Sequence, residues 1–415
     1  MKVFHINTFD TAGGAARAVE RISRGLLNIG VDSRVFVQTK DGDDVRVIGP
    51  HSKFGKLFSK LRPYFDRLPL ALYKQKEKMP FYLQWLPFGQ QRKIERLDLD
   101  ILHLHWICGG FIRIEELARF KKPIVWTLHD MWAFTGGCHY SAKCQAYINK
   151  CGSCPQLHSQ RRFDASGWVW KRKNKAWADL DLTLVAPSKW LAECAQKSLL
   201  FQGKRIEVIS NGLDLARFKP VAKDQARSML SLSQNKKIIL FGALSADSDQ
   251  RKGYYFILPA LQSIRQQEIS KNIELVIFGA SQPLAAPDFG VTVKYMGRLH
   301  DDISLALLYA AADVMLVPST QEAFGQTASE AMACGCPVVA FKTSGLIDIV
   351  DHGINGYLAR PFDHIDFAHG IRWVIEDSQR QLKLSQEARR KAVGRFDVQV
   401  IAKQYLDLYE DILKK

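Results

Sequence analysis

Two hydrophobic rhythms alternate along the chain. Short apolar, β-branched runs recur at Lys2–Thr8, Ser33–Gln38, Ile101–Trp106, Ile124–His129 and Leu182–Ser188. Between some of them lie helical patterns, notably Gly14–Asn28 and Phe111–Phe120. Apolar runs in βαβ order predict a parallel sheet covered by helices on both faces. A second series reads Arg205–Ser210, Lys237–Leu244, Ile273–Gly279, Val291–Met296, Val314–Pro318 and Pro337–Phe341. The helical patterns Tyr254–Ile264, Ser304–Ala312 and Gln326–Cys334 fall between these runs. The expectation is α/β: two doubly wound halves, with a ligand beyond the carboxyl ends of the strands, in a cleft between them. The join is expected near Ala186–Ala192 or within Val208–Val221, where turn residues and Pro220 stand. The amphipathic stretch Val398–Lys414 comes after the second sheet and could pack back across either half.

Length agrees with this division, because 415 residues exceed one ordinary core. Hydrophobic content of 47% and charged content of 24% fit a soluble globular protein. No apolar run reaches the roughly 18 residues of a membrane span. The first residues alternate like a strand and lack the apolar core of a signal peptide, so a cytoplasmic chain is expected. The net charge of +16 is unevenly spread: between His51 and Leu97 eleven basic residues face three acidic ones. Phe54, Leu57, Phe58, Leu61, Tyr64, Phe65 and Leu68 are interleaved with them. Basic plus aromatic composition suits the surface of an anionic membrane, and a peripheral position at its inner face is the expectation. The plainer alternative is a solvated face over a packed helix pair. No helix-turn-helix, zinc-finger, RNP or KH pattern accompanies the charge, so no nucleic-acid partner is expected.

No G-x-G-x-x-G follows a strand and no Walker A sequence is present, which disfavours a dinucleotide-binding dehydrogenase and a P-loop enzyme. Glycines stand instead at strand–helix junctions: Gly13 and Gly14, Gly242, Gly279 and Gly325. Glycine allows close backbone approach, and helix N-termini favour phosphate, so a phosphorylated ligand is expected. Arg251-Lys252-Gly253 supplies two cations that could neutralise a diphosphate, or be a plain surface turn. In QEAFGQTASEAMACGCPVVA, Glu322 lies in a loop and Glu330 about one turn inside the following helix. The helix start around Gly325, Gln326 and Thr327 can receive phosphate, and Glu330 can accept bonds from the vicinal hydroxyls of a ribose. Taken alone, both glutamates are equally read as a solvated loop residue and a satisfied helix residue.

Four of the eight cysteines cluster at Cys138, Cys144, Cys151 and Cys154, in a loop that also holds His139 and His158. The C-x2-C half fits a structural zinc site, while buried free thiols and redox-active or disulfide-linked pairs stay open. His103 and His105 alternate on a strand and read as satisfied core histidines.

The glutamate segment resembles the E-x7-E signature of retaining glycosyltransferases of family 4, which have the GT-B fold of two Rossmann-like domains facing a central cleft. NTFDTAGGAARAV, SNGLDLARFKP, RKG and DIVDHGINGYLARPFD resemble further segments of that family, in the same order. The stretch from VWTLHDMWAFTGGCHY to CGSCP resembles transferases that build bacterial exopolysaccharides and O-antigens, of colanic-acid type. The resemblance implies an acceptor-binding domain over 1–190, a nucleotide-sugar domain over 191–397 and a C-terminal helix over 398–415. It implies that Glu330 binds the ribose, Glu322 the donor-sugar hydroxyls and Lys252 the diphosphate. Gly14 would offer its N–H to phosphate, and His129 would lie near the reacting carbon. The family has arginine where this chain has Ala243, and Arg251 is the substitute candidate. The implied partners are a nucleoside-diphosphate sugar and a saccharide acceptor, lipid-linked in surface polysaccharide synthesis. No Mg²⁺ or other cofactor is expected for catalysis, because Arg, Lys and the helix dipole take that role. No nucleophilic carboxylate stands out, so front-face attack assisted by the leaving phosphate is preferred. Alternatives are a nucleotide-sugar 2-epimerase of the same fold and a non-catalytic saccharide- or nucleic-acid-binding protein.

Overall fold

The structure is a computed structural model and describes residues 1–87, 90–242, 249–264, 271–284, 286–299 and 301–414. Seven parallel strands form the first sheet: β1 (Lys2–Phe9), β2 (Asp32–Thr39), β3 (Val47–Ile48), β4 (Ile101–Leu104), β5 (Ile124–Thr127), β6 (Leu182–Ala186) and β7 (Arg205–Val208). Their spatial order is β3-β2-β1-β4-β5-β6-β7. Six more form the second: β8 (Lys237–Gly242), β9 (Ile273–Phe278), β10 (Thr292–Tyr295), β11 (Val314–Val317), β12 (Val338–Phe341) and β13 (Gly356–Ala359). Their order, β10-β9-β8-β11-β12-β13, repeats the first six positions of the first sheet. In each sheet the chain runs outward one way, returns, and runs outward the other way. The central crevice therefore opens between β1 and β4 in one sheet and between β8 and β11 in the other.

The strands form because their side chains are buried on both faces. β4, β5, β11, β12 and β13 have no residue open to solvent, as expected of a parallel sheet between helical layers. The helices begin and end on local signals. Ser188 caps Lys189–Lys197 by accepting from the Leu191 N–H, and Asp301 caps Asp302–Ala311 by accepting from Ser304. Gln326–Ala333 stops where Gly335 takes φ 77°, two residues before Pro337.

The chain divides into two compact units, Met1–Ser210 together with Ile401–Lys415, and Asn211–Val400. Sequence placed Arg205–Ser210 in the second series, but β7 pairs with β6 and closes the first sheet. Four residues of alternating charged and apolar side chains do not reveal which sheet they join. Phe111–Phe120 holds not an α-helix but a 3₁₀ segment, Ile114–Arg119. The C-terminal helix Val398–Leu413 reaches the core of the first unit. Its Ile401, Ala402, Tyr405, Leu408 and Tyr409 pack with Val3, Ile22, Leu26, Ile101, Val125 and Val185.

Candidate functional site

In the second unit the chemistry gathers past the carboxyl ends of β8 and β11, the two strands flanking the crevice. After β8 the described chain resumes at Asp249 and turns through Arg251, Lys252 and Gly253. Gly253 has φ 72°, and a Cβ there would lie 1.9 Å from the Pro318 carbonyl oxygen. Only glycine lets this turn rest on the end of β11. The Thr320 N–H donates to the Arg251 carbonyl at 2.8 Å and stitches the two loops together.

Glu322 is the centre of this arrangement and is 8% exposed. Lys252 Nζ lies 2.6 Å from its Oε1 and Arg251 Nη1 3.4 Å from its Oε2. The Ser319 hydroxyl donates to Oε1 at 3.0 Å, and the Ser344 hydroxyl accepts from the Glu322 N–H at 2.9 Å. Burial alone would raise the carboxyl pKa. Lys252, Arg251 and the hydrogen bonds from Lys252 and Ser319 outweigh it and hold Glu322 at about 2. Arg251 is fixed further by Asp249 at 2.8 Å and by the Gln321 carbonyl at 2.9 Å. The Glu322 carboxylate thus stands between two cations, and with Asp249 the four charges balance.

The next helix starts at Gly325, whose φ is 108°, and a Cβ there would approach Leu346 Cδ2 to 2.8 Å. No side chain caps this N-terminus and its first turn holds no acid. Gln326 and Thr327 are half-buried in that turn. Glu330 is 1% exposed and accepts a 3.1 Å hydrogen bond from Tyr309. Ala243, where the arginine was expected, lies outside the described residues.

In the first unit the corresponding edge carries histidines instead. His5 on β1 stands in register with His103 on β4, while His105 and His129 follow the ends of β4 and β5. His129 Nε2 lies 3.0 Å from His105 Nδ1, and His105 Nε2 2.9 Å from His5 Nδ1. His5 Nε2 lies 3.1 Å from the Ser33 hydroxyl, which donates to Ser23 at 2.8 Å. Burial pushes His129 down to about 4 and His5 to about 3, so both are neutral near pH 7. Next to His129, Asp130 accepts from the Trp132 N–H (2.8 Å), the Trp106 indole (3.0 Å) and His139 (2.6 Å). A small cavity at this edge is lined by His105, Trp106, Cys108, His129, Asp130 and Trp132. Gly13, with φ 89°, and Gly14 open the helix Gly13–Asn28, whose N-terminus also lacks a side-chain cap.

The four clustered cysteines are free thiols, Cys151 and Cys154 buried, Cys138 and Cys144 half-buried. Among the described residues, the ligand atoms that converge are those of His5, His103 and His105, within 4.8 Å of one another; the cysteines form no such group. Cys151 Sγ accepts from the Gly136 N–H at 3.1 Å. Burial pushes the Cys151 thiol up to about 12 and Cys154 to about 11. The loop nevertheless brings the four thiols near enough for each of Cys138, Cys151 and Cys154 to feel the charge of Cys144. The three histidines are no metal cage. All six of their ring nitrogens have hydrogen-bond partners, His103 using Thr127 at 2.7 Å and Tyr409 at 2.6 Å.

The basic stretch folds as a helix, Lys53–Arg67. Its inner face is anchored by Arg62, which donates to the Gly110 carbonyl, and by Asp66, which accepts from Leu83 at 2.9 Å. Its outer face exposes Phe54 (79%), Leu57 (59%) and Tyr64 (75%) beside Lys53, Lys56 and Lys60. Among the described residues no helix is long and apolar enough to cross a membrane.

Sequence reasoning missed the residues that brace the site: Asp249, Ser319 and Ser344 around Glu322, and His5 and His105 behind His129. Asp249 stands two residues before Arg251 and was legible as a cap, and Ser319 stands three before Glu322; Ser344, His5 and His105 lie far along the chain from what they brace and leave no local signal.

A family model described as Glycosyltransferase Family 4 matches residues 12–217, and one described as Glycosyl transferases group 1 matches residues 235–377. D-inositol 3-phosphate glycosyltransferase of Xylanimonas cellulosilytica is 27% identical over 97% of this chain and 93% of that one. Sucrose-phosphate synthase from Thermosynechococcus elongatus is similar in fold, with TM-score 0.70, 20% identity and full coverage of both chains. The Anabaena protein HepE, solved with UDP-glucose, gives TM-score 0.61 at 19% identity, over 99% of this chain and all of that one.

Proposed function

The chain belongs to glycosyltransferase family 4 and has the GT-B fold, and from this premise we propose that it is a retaining enzyme using a nucleoside-diphosphate sugar. The observation that carries the reading is the buried, ionised Glu322 held between Lys252 and Arg251 at the crevice of the second sheet. Lys252 and Arg251 meet the diphosphate, and the uncapped helix start at Gly325, Gln326 and Thr327 adds its dipole. Glu322 holds both cations ready and meets the donor-sugar hydroxyls, while Glu330 accepts from the ribose. In the first unit Gly14 offers its N–H to phosphate and His129 serves the reacting centre. Charge builds on the departing diphosphate in the transition state, and cations fixed beforehand stabilise it without reorganisation. The acceptor hydroxyl then attacks from the face the diphosphate leaves, with a phosphate oxygen taking its proton.

The acceptor is a saccharide carried on a lipid, as in bacterial surface polysaccharide synthesis. The exposed aromatic and basic face of Lys53–Arg67 supports this, since such a face rests on an anionic membrane surface. That would place the chain peripherally at the inner face. The relative from Xylanimonas is named for D-inositol 3-phosphate, so that acceptor belongs in the same trial.

A thermal-shift screen against UDP-, GDP- and ADP-sugars tests the donor. The right one at a hundred times its Kd raises stability by about 2.7 kcal/mol. Glu330→Ala should abolish that shift; unchanged donor affinity and turnover would remove the ribose assignment. Labelled donor offered with a lipid-linked saccharide or with D-inositol 3-phosphate reads the acceptor. An epimer formed with no acceptor would overturn transfer altogether.

A further inference from the structure

His129 does not stand alone. It ends a continuous hydrogen-bonded row, His129–His105–His5–Ser33–Ser23, that runs inward across four strands to the first helix. His5 and Ser33 are 0% exposed, His105 2% and Ser23 6%. A neutral imidazole has one N–H and one lone pair, so every bond in such a row fixes the next. Ser33 donates to Ser23. Its oxygen must therefore accept from His5 Nε2–H. His5 Nδ1 is then a lone pair and accepts from His105 Nε2–H, and His105 Nδ1 accepts from His129 Nε2–H. What remains on His129 is an unprotonated Nδ1.

We propose that His5 and His105 are positioning residues that hold His129 as the Nε2–H tautomer, so that its Nδ1 accepts a hydrogen bond from a sugar hydroxyl. The assignment rests on the reading that His129 serves the reacting centre, and it sharpens it. A lone pair at Nδ1 selects a hydroxyl donor and rejects a phosphate or carbonyl oxygen, which can only accept. The row has a far end that controls the near one. Removing the Ser33 hydroxyl leaves His5 Nε2 facing apolar surroundings, where an unpaired N–H is costlier than an unpaired lone pair. The whole row then reverses, and His129 carries its proton on Nδ1.

The test is ¹⁵N-histidine NMR on the full chain at neutral pH, with His129 assigned by loss of its signals in His129→Gln. The expected state is Nε2–H, and an Nδ1–H or doubly protonated ring would overturn the proposal. Ser33→Ala should convert His129 to Nδ1–H and lower kcat about tenfold, with donor KM unchanged, as for an imidazole held in the wrong tautomer. A lost buried contact of purely structural kind would not move the tautomer, so Ser33→Ala with Nε2–H retained also overturns it. Should Ser33→Ala not fold, Ser23→Ala frees the Ser33 hydroxyl to donate to His5 and predicts the same reversal. If the tautomers behave as stated but His129→Gln turns over like the wild type, the reacting-centre reading fails while the row stands.

Discussion

The two units have the same strand order through six strands and place their functional side chains at the same edge, yet they prepare opposite electrostatics. The second unit buries full charges: Glu322 held near 2 by Lys252 and Arg251. The first buries neutral rings: His5 and His129 pushed down to about 3 and 4. Burial acts on both. It is overcome where two cations flank Glu322; it prevails at His5, and at His129 despite the carboxylate of Asp130 beside it. On the proposed reading, one edge meets the charged diphosphate and the other the sugar hydroxyls. Strand topology places a site; the charge of its neighbours decides what the site can hold.

The comparison is most exposed to Glu322→Gln. The substitution removes the charge that holds Lys252 and Arg251, and we expect kcat/KM to fall on the order of a thousandfold. His129→Gln should cost less, about tenfold, because it removes one hydrogen bond to a neutral group. Equal losses in steady-state kinetics would erase the distinction between the edges.

Acid should separate the units next. The folded pKa of His5, about 3, lies below the ordinary 6.5, so the unfolded chain binds its proton first. Stability contributed there is full above pH 6.5 and drains as pH falls toward 3, of order 5 kcal/mol. Glu322 is also depressed, from 4.5 to about 2, so its share of about 3 kcal/mol is full above pH 4.5 and drains only below it. Of nine tryptophans, all but Trp373 lie in the first 210 residues. Tryptophan fluorescence should therefore change at higher pH than far-ultraviolet circular dichroism; coincident transitions would contradict the ordering.

The smallest effect contrasts buried with exposed charge. Replacing Lys56 alone by alanine should weaken binding to vesicles containing anionic lipid by about fivefold, since each lysine near such a surface is worth about 1 kcal/mol. Added salt should weaken the wild type in the same way. Vesicle sedimentation unaffected by either change would remove the membrane surface from the proposal.

Much of the fold was legible because parallel strands are short, apolar and bounded by turns. β13, Gly356–Ala359, was not read, since four residues beginning with glycine carry little pattern. The Glu322–Glu330 segment was legible because its loop, helix start and stop are contiguous. The histidine row was not, since His5 and His105 are 100 positions apart. Each looked like an ordinary buried histidine, and only strand register makes them neighbours.

The return of Tyr405 and Tyr409 to the first unit has a consequence for biosynthesis. The Tyr409 hydroxyl bonds His103, and the Tyr405 hydroxyl bonds Thr127. A ribosome delivers β1, β4 and β5 long before it delivers these tyrosines. The half translated first therefore waits, with part of its core uncovered, until the half translated second has emerged. A nascent chain arrested before residue 401 should engage chaperones that a released chain does not.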